Sequence, residues 1–332
     1  MSAAAAPRVH FLMPEGIDDP AHPSGGNVYD RRLCRELVAL GWAVDEHPVP
    51  ASELARTLAS VPDRGVVLVD GLIASEALLA ETARLRIVVL LHMPVGDDRE
   101  RAVLSAAEAV VTTSDWSRGL APGGRVSVAA PGSALAPRAT GSSSGGELLC
   151  VGAVVRAKGH DVLLDALATI THLEWRCTVV GALDLDPGFD DELRYRAREV
   201  GIRDRVRFTG ALTTERLDEV YAGTDLLVSA SRREAYGMSV TEALARGIPV
   251  VTTDVGGLPE AVGWAPDGSR PGLLFAGDDS SALAGHLERW LVDPQLRERL
   301  RHSAAGRRET LGTWALTARQ VAGVLADARI AS

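Results

Sequence analysis

The chain has 332 residues, of which 46% are hydrophobic and 24% charged, which is ordinary for a globular protein with room for two domains. The formal net charge of −9 argues against a protein that holds nucleic acid or an anionic membrane by bulk electrostatics. Three widely spaced cysteines argue against a disulfide framework or a structural metal, and the lack of a signal peptide or a long apolar run predicts a cytoplasmic protein without a membrane span.

Short valine-rich runs recur along the first half of the chain, with helical patterns between them. Runs that are apolar throughout are typical of buried parallel strands. The predicted strands are Arg8–Met13, Ala43–His47, Gly65–Val69, Ile87–Leu91, Ala109–Thr113 and Val126–Ala129. Small and turn-forming residues then interrupt the pattern. We assign residues 1–135 to a first Rossmann-like domain and residues 136–146 to a linker.

The alternation restarts after the linker, and residues 147–312 are assigned to a second Rossmann-like domain. Its predicted strands are Leu148–Val151, Cys177–Val180, Val206–Thr209, Leu226–Ser229, Val250–Thr252 and Leu273–Phe275. A helix predicted over residues 313–330 could cross back to the first domain. The pattern predicts an α/β protein with two doubly wound domains and a ligand cleft between them, at the carboxyl ends of the strands.

Two candidate features follow strand ends in the first half. Gly25 and Gly26 lie in a loop before a helix predicted over Tyr29–Leu40, where the backbone could approach a ligand closely. An ordinary flexible turn is the alternative, and the pattern is not the Gly-x-Gly-x-x-Gly of dinucleotide dehydrogenases. His92 directly follows a predicted strand and could donate to a sugar hydroxyl or transfer a proton, unless it is only a surface histidine.

Two cations follow the first strand of the second half. Arg156 and Lys158 stand in a loop that leads into a helix, where they could neutralise a diphosphate and stabilise it as a leaving group. The alternative is a pair of solvated surface cations. The position of Lys158 at a helix start favours the functional interpretation.

Glu234 and Glu242 form the most informative pattern. They lie in the segment Glu-Ala-Tyr-Gly-Met-Ser-Val-Thr-Glu, with a loop predicted up to Gly237 and a helix predicted over Met238–Arg246. The helix start offers amide donors and the positive end of a dipole, so an anionic diphosphate could bind there. A single glutamate could equally be a surface carboxylate near a helix start. Two glutamates in this register, followed by Gly-Ile-Pro-Val-Val and Gly-Gly-Leu-Pro-Glu, are too specific for that alternative.

Taken together, these motifs resemble family 4 of the retaining glycosyltransferases, which have the GT-B fold. The glutamate segment carries most of the resemblance. Weaker matches occur in the expected order along nearly the whole chain: Gly25-Gly26, His92, Thr113–Ser117, Pro131-Gly132, Val151-Gly152, Lys158-Gly159, Phe208–Gly210 and Thr313-Trp314.

The resemblance implies a hexosyltransferase that moves a sugar from a nucleotide diphosphate to a small-molecule or glycan acceptor, with an α-linkage and without a metal or other cofactor. It implies catalytic roles for Glu234, His92 and Lys158, with Glu234 facing the donor sugar. It implies that Glu242 holds the ribose hydroxyls and that Lys158 binds the diphosphate. The implied donor-binding residues are Gly25, Gly26, Arg156, Thr209, Leu212, Ala235, Tyr236, Gly237, Met238, Ser239 and Glu242.

One position departs from the family pattern. Members usually carry an arginine beside the lysine as a phosphate clamp, and here that position is Ala153. Losing such a contact could cost a rate factor on the order of a hundred. Two alternatives therefore stay open at this stage: a protein that binds nucleotide sugars with weak or no transfer, and a nucleotide-sugar epimerase. The sequence leaves the donor base, the sugar, the acceptor and the oligomeric state open.

Overall fold

The computed structural model describes residues 6–134 and 136–330, so the predicted range 1–135 includes six residues outside the description. The chain divides into two compact units. Unit 1 comprises the chain up to Asp18, Gly25–Gly132 and the chain from Gly312 onward, and unit 2 comprises Asp19–Ser24 and Ser133–Leu311. Among the described residues, no helix has the length and apolar character that crossing a membrane requires.

Unit 1 is built on a six-stranded parallel sheet with the order β2-β1-β3-β4-β5-β6. Its strands are β1 (Arg8–Pro14), β2 (Ala43–Val49), β3 (Val66–Asp70), β4 (Arg86–Leu91), β5 (Ala109–Thr112) and β6 (Val126–Val128). Its helices are α1 (Gly25–Ala39), α2 (Leu54–Ser60), α3 (Asp98–Ala106), α4 (Asp115–Leu120) and the last helix of the chain, α12 (Trp314–Ile330). The central strands β3 and β4 are apolar and buried almost throughout, as expected for strands with both faces covered.

The helix α12 packs within unit 1, against α1 and against strands of the sheet. Tyr29 of α1 is completely buried, lies edge-on to Trp314 of α12, and donates a hydrogen bond from its hydroxyl to the carbonyl of Ala129 at 2.8 Å. This satisfied hydroxyl allows a large aromatic side chain to fill the core without an unpaired polar group.

Unit 2 contains a second six-stranded parallel sheet with the order β12-β11-β10-β7-β8-β9. Its strands are β7 (Glu147–Val151), β8 (Arg176–Val180), β9 (Val206–Phe208), β10 (Leu226–Ser229), β11 (Val250–Thr253) and β12 (Gly272–Phe275). Its helices are α5 (His160–Thr169), α6 (Phe189–Glu199), α7 (Thr214–Ala222), α8 (Met238–Ala245), α9 (Leu258–Val262), α10 (Ser280–Val292) and α11 (Pro294–Arg308).

Two apolar clusters hold the helices of unit 2 on its sheet. The larger cluster joins residues of α5, α6, α10 and α11 to the strands, with the fully buried Trp290 among them. The second cluster includes residues of α7, α8, α9 and α11 and the buried side chains of Leu149, Leu227 and Val250. The α8 helix, which follows the Glu234 loop, is therefore anchored by its apolar side chains Val240, Ala243 and Leu244.

The predicted α/β class is confirmed, and every predicted strand is present with ends within two residues. Helix α1 differs, because it begins at Gly25 rather than at Tyr29. Glycine disfavours helix in sequence reasoning, yet Gly25 and Gly26 form the first turn of this helix. A Cβ atom at Gly26 would lie 3.3 Å from Cδ2 of His92, a close contact that a small residue accommodates.

Residues 136–146, which the sequence analysis assigns to a linker, belong to unit 2 by their contacts. Thr140 and Gly141 donate backbone hydrogen bonds to the carbonyl of Ala222. The Ser142 amide and hydroxyl donate to the two carboxylate oxygens of the buried Asp225, at 2.8 and 2.5 Å. Turn-forming residues predict irregular backbone well, but they do not reveal that a buried carboxylate fixes it.

Candidate functional site

The loop between β10 and α8 carries Glu234, and its shape depends on the glycine pair that precedes α9. Gly256 has a φ of +61°, and a Cβ atom there would lie 1.8 Å from the carbonyl oxygen of Glu234. The amide of Gly257 donates to that same carbonyl at 3.0 Å. Only glycine allows the two backbones to approach this closely, so the Gly-Gly-Leu-Pro-Glu motif fixes the loop that carries the first glutamate.

The start of α8 offers backbone donors rather than a side-chain cap. Gly237 occupies the N-cap with a φ of +106° and provides no side-chain hydrogen bond. Met238 and Ser239 lie in the first turn, where backbone N–H groups have no acceptor within the helix and face its N-terminal end. The positive end of the helix dipole lies at the same place. This arrangement is suited to an anionic group, as the sequence predicts.

Lys158 and Glu234 meet directly in unit 2. The Nζ atom of Lys158 lies 2.5 Å from Oε2 of Glu234, and the two side chains are 29% and 16% exposed. The lysine ends a short 3-10 turn, Arg156–Lys158, that follows β7, and Glu234 follows β10. Because β7 and β10 are neighbours in a parallel sheet, their carboxyl ends bring the two charges together.

Glu242 lies inside α8 and is held by a buried tyrosine. The hydroxyl of Tyr221 donates to Oε2 of Glu242 at 3.1 Å. Tyr221 is completely buried, and burial together with the Glu242 charge raises the pKa of its phenol well above the ordinary value. The tyrosine is therefore a permanent donor that orients the glutamate.

Arg156 is directed towards a different element. Its guanidinium contacts Glu192 of α6 at 2.6 Å and lies over the ring of Phe189, 4.6 Å from the ring centroid. Lys158 is thus the cation of this turn that meets Glu234, while Arg156 pairs with α6. Ala153, where the family pattern has an arginine, is partly exposed. The predicted role of Arg156 at a diphosphate stays a prediction.

The other predicted donor residues of unit 2 follow β9, at the edge of the sheet, or lie in the Glu234 loop. The Thr209 hydroxyl donates to the carbonyl of Gly210 at 2.8 Å, and Leu212 packs against the cluster that contains Tyr221. Ala235 is buried, and burial raises the pKa of the Tyr236 phenol. The predicted contacts of these residues with a nucleotide stay predictions.

His92 occupies a separate polar cluster in unit 1, just after β4. Its Nε2 atom lies 2.8 Å from Oδ1 of Asp30 in α1 and 3.9 Å from Oδ2 of Asp70 at the end of β3. Both carboxylates are almost completely buried, and the His92 side chain is 17% exposed. The Tyr29 ring lies edge-on to the imidazole, with 5.0 Å between the ring centroids. The imidazole is therefore fixed from α1 and β3.

Burial and charge act in opposite directions on His92. Burial lowers the pKa of the imidazole. The charges of Asp30 and Asp70 together raise it by more than burial lowers it, so that the pKa reaches about 8. Burial raises the pKa of the Asp30 carboxyl to about 6, against the opposing effect of His92. His92 is accordingly a cation at neutral pH, held by carboxylates that water scarcely reaches.

The ligand atoms of Asp30, Asp70 and His92 lie within 4.8 Å of one another, so these side chains are the ones in the described part of the chain that could hold a metal ion. The hydrogen bond between His92 and Asp30 accounts for their proximity without an ion, and we assign none. The expectation that the activity requires no metal stays a prediction.

With this geometry in place, comparison with known proteins decides the family. Residues 139–307, just over half of the chain, match the family model described as glycosyl transferases group 1. The chain belongs to this family. The match covers the Lys158 turn, both glutamates and the glycine pair before α9, so the unit 2 region described above lies entirely inside it.

Curated relatives match parts of the chain. A D-inositol 3-phosphate glycosyltransferase from Nocardia farcinica is 32% identical over 271 residues, which are 79% of this chain and 57% of the relative. The lipopolysaccharide core biosynthesis mannosyltransferase LpsB from Rhizobium meliloti is 34% identical over 137 residues, or 40% of this chain and 38% of the relative. The chain thus spans between 38% and 57% of these two relatives.

Solved structures match nearly the whole chain and confirm the GT-B fold. Sucrose-phosphate synthase from Thermosynechococcus elongatus has a TM-score of 0.77 and 22% identity, and the match covers 96% of this chain and 98% of that protein. HepE from Anabaena, in complex with UDP-glucose, has a TM-score of 0.77 and 18% identity, with 96% and 99% covered.

Sequence reasoning missed the residues that hold the predicted ones in place. Asp30 is 62 positions from His92, and Tyr221 is 21 positions from Glu242. Asp30 lies in α1, four residues after the Gly25-Gly26 motif, but nothing in the sequence pairs it with His92. Only that motif and the position of Asp70 at the end of a buried strand could have signalled a polar cluster.

Proposed function

We propose that this chain is a retaining glycosyltransferase that moves a hexose from a nucleotide diphosphate sugar to an acceptor hydroxyl, giving an α-linkage without a metal ion. The observation that carries the proposal is the Lys158–Glu234 pair beside the uncapped start of α8, with Glu242 one to two turns inside the helix. Family membership supports the reaction class.

In this proposal the diphosphate binds at the start of α8 and to Lys158. The amides of Met238 and Ser239 and the lysine charge stabilise the negative charge that develops as the bond to the sugar breaks. These groups supply the neutralisation that a metal ion gives in other enzymes. A diphosphate carries more negative charge than one carboxylate and can compete with Glu234 for Lys158, whose side chain is 29% exposed.

The two glutamates then have different roles. Glu242, held by Tyr221, accepts hydrogen bonds from the ribose hydroxyls, and Glu234 faces the hexose hydroxyls. His92 contributes a charged donor for a sugar hydroxyl. The acceptor oxygen bonds to the anomeric carbon as the carbon–oxygen bond to the diphosphate breaks, and the acceptor proton passes to the departing diphosphate.

Two nucleotide sugars are the donor substrates to test first. HepE was solved with UDP-glucose, and LpsB is named a mannosyltransferase. These names support UDP-glucose and a nucleotide-linked mannose, for which GDP-mannose is the compound to test, as the first donors for this chain.

A time course by proton NMR tests the proposal. The protein is incubated with EDTA, each donor and a panel of sugar and polyol acceptors. We expect consumption of one donor only when an acceptor is present, and loss of turnover with Lys158→Met. The product should show the larger one-bond carbon–proton coupling at the anomeric carbon, which marks an α-glycoside of either glucose or mannose. A β-product, or turnover that requires an added metal, would contradict the corresponding part of the proposal.

Ala153 favours a second candidate, a protein that binds a nucleotide sugar with weak transfer. The position beside Lys158 carries no cation, and Arg156 is drawn to Glu192. An Ala153→Arg variant distinguishes the two candidates. If the missing arginine limits transfer, turnover rises by about tenfold or more while donor affinity changes less. Nucleotide-sugar binding without product, in the wild type and in this variant, would favour the binding protein.

A further inference from the structure

Arg232 lies in the loop that carries Glu234, and its guanidinium connects three segments of unit 2. Nη1 and Nη2 donate to the two carboxylate oxygens of Asp161 at 2.9 and 2.8 Å, and Nε donates to Asp278 at 2.6 Å. Asp161 stands in the first turn of α5, and Asp278 lies in the turn after β12.

Arg232 also holds the turn that carries Lys158. Its Nη1 atom donates to the carbonyl of Arg156 at 2.7 Å, and its backbone amide donates to the carbonyl of Ala157 at 2.8 Å. Two successive carbonyls immediately before Lys158 are therefore bonded to a residue two positions before Glu234. Through these contacts Arg232 sets the separation of the lysine and the glutamate.

The hydrogen bonds of the guanidinium fit a positioning role better than a ligand-binding role. Its Nε, Nη1 and Nη2 atoms each donate to an oxygen of the protein, whereas Lys158, which is equally exposed, meets a single carboxylate. The planar fork matches the Asp161 carboxylate with two bonds, which a lysine could not reproduce.

We propose that Arg232 is a positioning residue for donor binding, which fixes the Lys158 turn against the Glu234 loop so that both meet one diphosphate sugar. This inference rests on the proposed function, because it concerns the same region of unit 2. A displacement of about 1 Å in such a group lowers turnover by about a hundredfold. Arg232 thus acts through Lys158 and Glu234 without touching the donor.

Arg196 provides a matched control in the same unit. It makes a two-bond ion pair with Asp165, which also lies in α5, and the two side chains are 40% and 36% exposed. Arg196→Met removes an ion pair of the same type from the same helix without touching the Lys158 turn. Any loss of stability from breaking an ion pair with α5 is therefore shared by the two variants.

Calorimetric titration of the full chain with UDP and GDP tests the inference. For the nucleotide that binds the wild type, we expect Arg232→Met to raise Kd about tenfold or more, Arg232→Lys to recover only part of the affinity, and Arg196→Met to leave Kd unchanged. With the matching donor, kcat should fall more than KM rises in Arg232→Met, because the lysine and glutamate lose their transition-state geometry.

A double-mutant cycle with Lys158→Met separates positioning from a general loss of structure. We expect the effect of Arg232→Met on Kd to shrink to less than twofold once Lys158 is removed, since the arginine acts through the lysine. Additive effects, or an Arg232→Met variant that binds as tightly as the wild type, would overturn the inference alone. If the wild type binds neither UDP nor GDP, nor any other nucleoside diphosphate, the proposed function falls and the inference falls with it. If Arg232→Met does not fold, Asp161→Asn and Arg232→Lys test the same contacts.

Discussion

The polar groups of the two units are held in different ways. In unit 1, His92 pairs with Asp30 and Asp70, whose side chains are 0% and 3% exposed. In unit 2, Lys158 and Glu234 remain 29% and 16% exposed. Water screens the second pair and hardly reaches the carboxylates of the first.

This difference has consequences for function. A pair with buried carboxylates fixes the charge state and orientation of its histidine, because removing one partner leaves a buried charge uncompensated. The Lys158–Glu234 pair is open on the side of the lysine, which is 29% exposed, so an anionic ligand can reach Lys158 and compete with Glu234. Substitutions in the His92 pair should therefore change pH dependence, and substitutions in the Lys158–Glu234 pair should change affinity and turnover.

The largest effect is expected at Lys158. Lys158→Met removes the cation that faces the departing diphosphate, so kcat/KM should fall by roughly a hundredfold to a thousandfold. Initial rates with the active donor measure this effect. Arg156→Met compares the two cations of the same turn: a change of less than about threefold would mean that the Arg156 guanidinium stays with Glu192 during the reaction. Equal losses in the two variants would mean that both cations reach the donor.

The second effect concerns the backbone that supports Glu234. Gly256→Ala places a Cβ atom where the Glu234 carbonyl lies, at a positive φ, and should lower the free energy of unfolding by about 3 kcal/mol or more. Urea denaturation measures the loss. Gly268→Ala is the matched control, since Gly268 has a φ of +79° and nothing lies within 4 Å of its Cβ position. We expect the control to cost only about 1 kcal/mol. Equal losses of stability in the two variants would show that the Glu234 loop shifts to accommodate the added Cβ atom.

The third effect tests the buried pair of unit 1. Asp30→Asn removes the main charge that raises the pKa of His92, while burial continues to lower it. The pKa of His92 should fall from about 8 to below the ordinary value of 6.5. An NMR titration of the carbon-bound protons of the imidazole measures this pKa directly. In the wild type, the stability that comes from the raised pKa of His92 is present below its ordinary pKa of 6.5 and is lost as the pH rises through about 8.

Asp19→Asn is the matched control for this titration. His22 and Asp19 form a similar pair, with 2.7 Å between Nδ1 and Oδ2, but their side chains are 36% and 41% exposed. The same substitution should lower the pKa of His22 less, because water solvates its cation and Asp184 still contacts Nε2 at 3.1 Å. A His92 pKa that stays near 8 in Asp30→Asn would show that Asp70 alone maintains the charge.

The smallest effect is expected at His160, which is 1% exposed in α5. Burial, assisted by the Lys158 charge, lowers its pKa to about 4. The depressed pKa gives stability that is present above pH 6.5 and decreases as the pH falls towards 4, by about 1–2 kcal/mol at pH 5. Urea denaturation of the wild type and of His160→Phe at pH 7 and pH 5 measures this. An equal pH dependence in both proteins would exclude His160 as the cause.

The sequence predicts the sheets well because their chemistry is local. Parallel strands covered on both faces are apolar runs such as Val-Val-Leu-Val-Asp in β3, so every strand can be located from composition and spacing. The beginning of α1 could not be predicted in the same way, since two glycines argue against helix and only the approach of His92 accounts for one of them.

The supporting contacts could not be predicted because they join distant positions. Asp161 lies 71 positions from Arg232, and Asp30 lies 62 positions from His92. Motifs indicate the side chains that are suited to a ligand, such as Glu234 and Lys158. The residues that hold those side chains become visible only when the strands bring the loops together.

The measurement that tests the central claim most directly is calorimetric binding of UDP and GDP to the wild type, Lys158→Met and His92→Ala. The account predicts that one nucleotide binds the wild type, that Lys158→Met weakens this binding about tenfold or more, and that His92→Ala leaves it unchanged. Unchanged affinity in Lys158→Met, or an equal loss in His92→Ala, would contradict the assignment of the nucleotide to the Lys158–Glu234 region of unit 2.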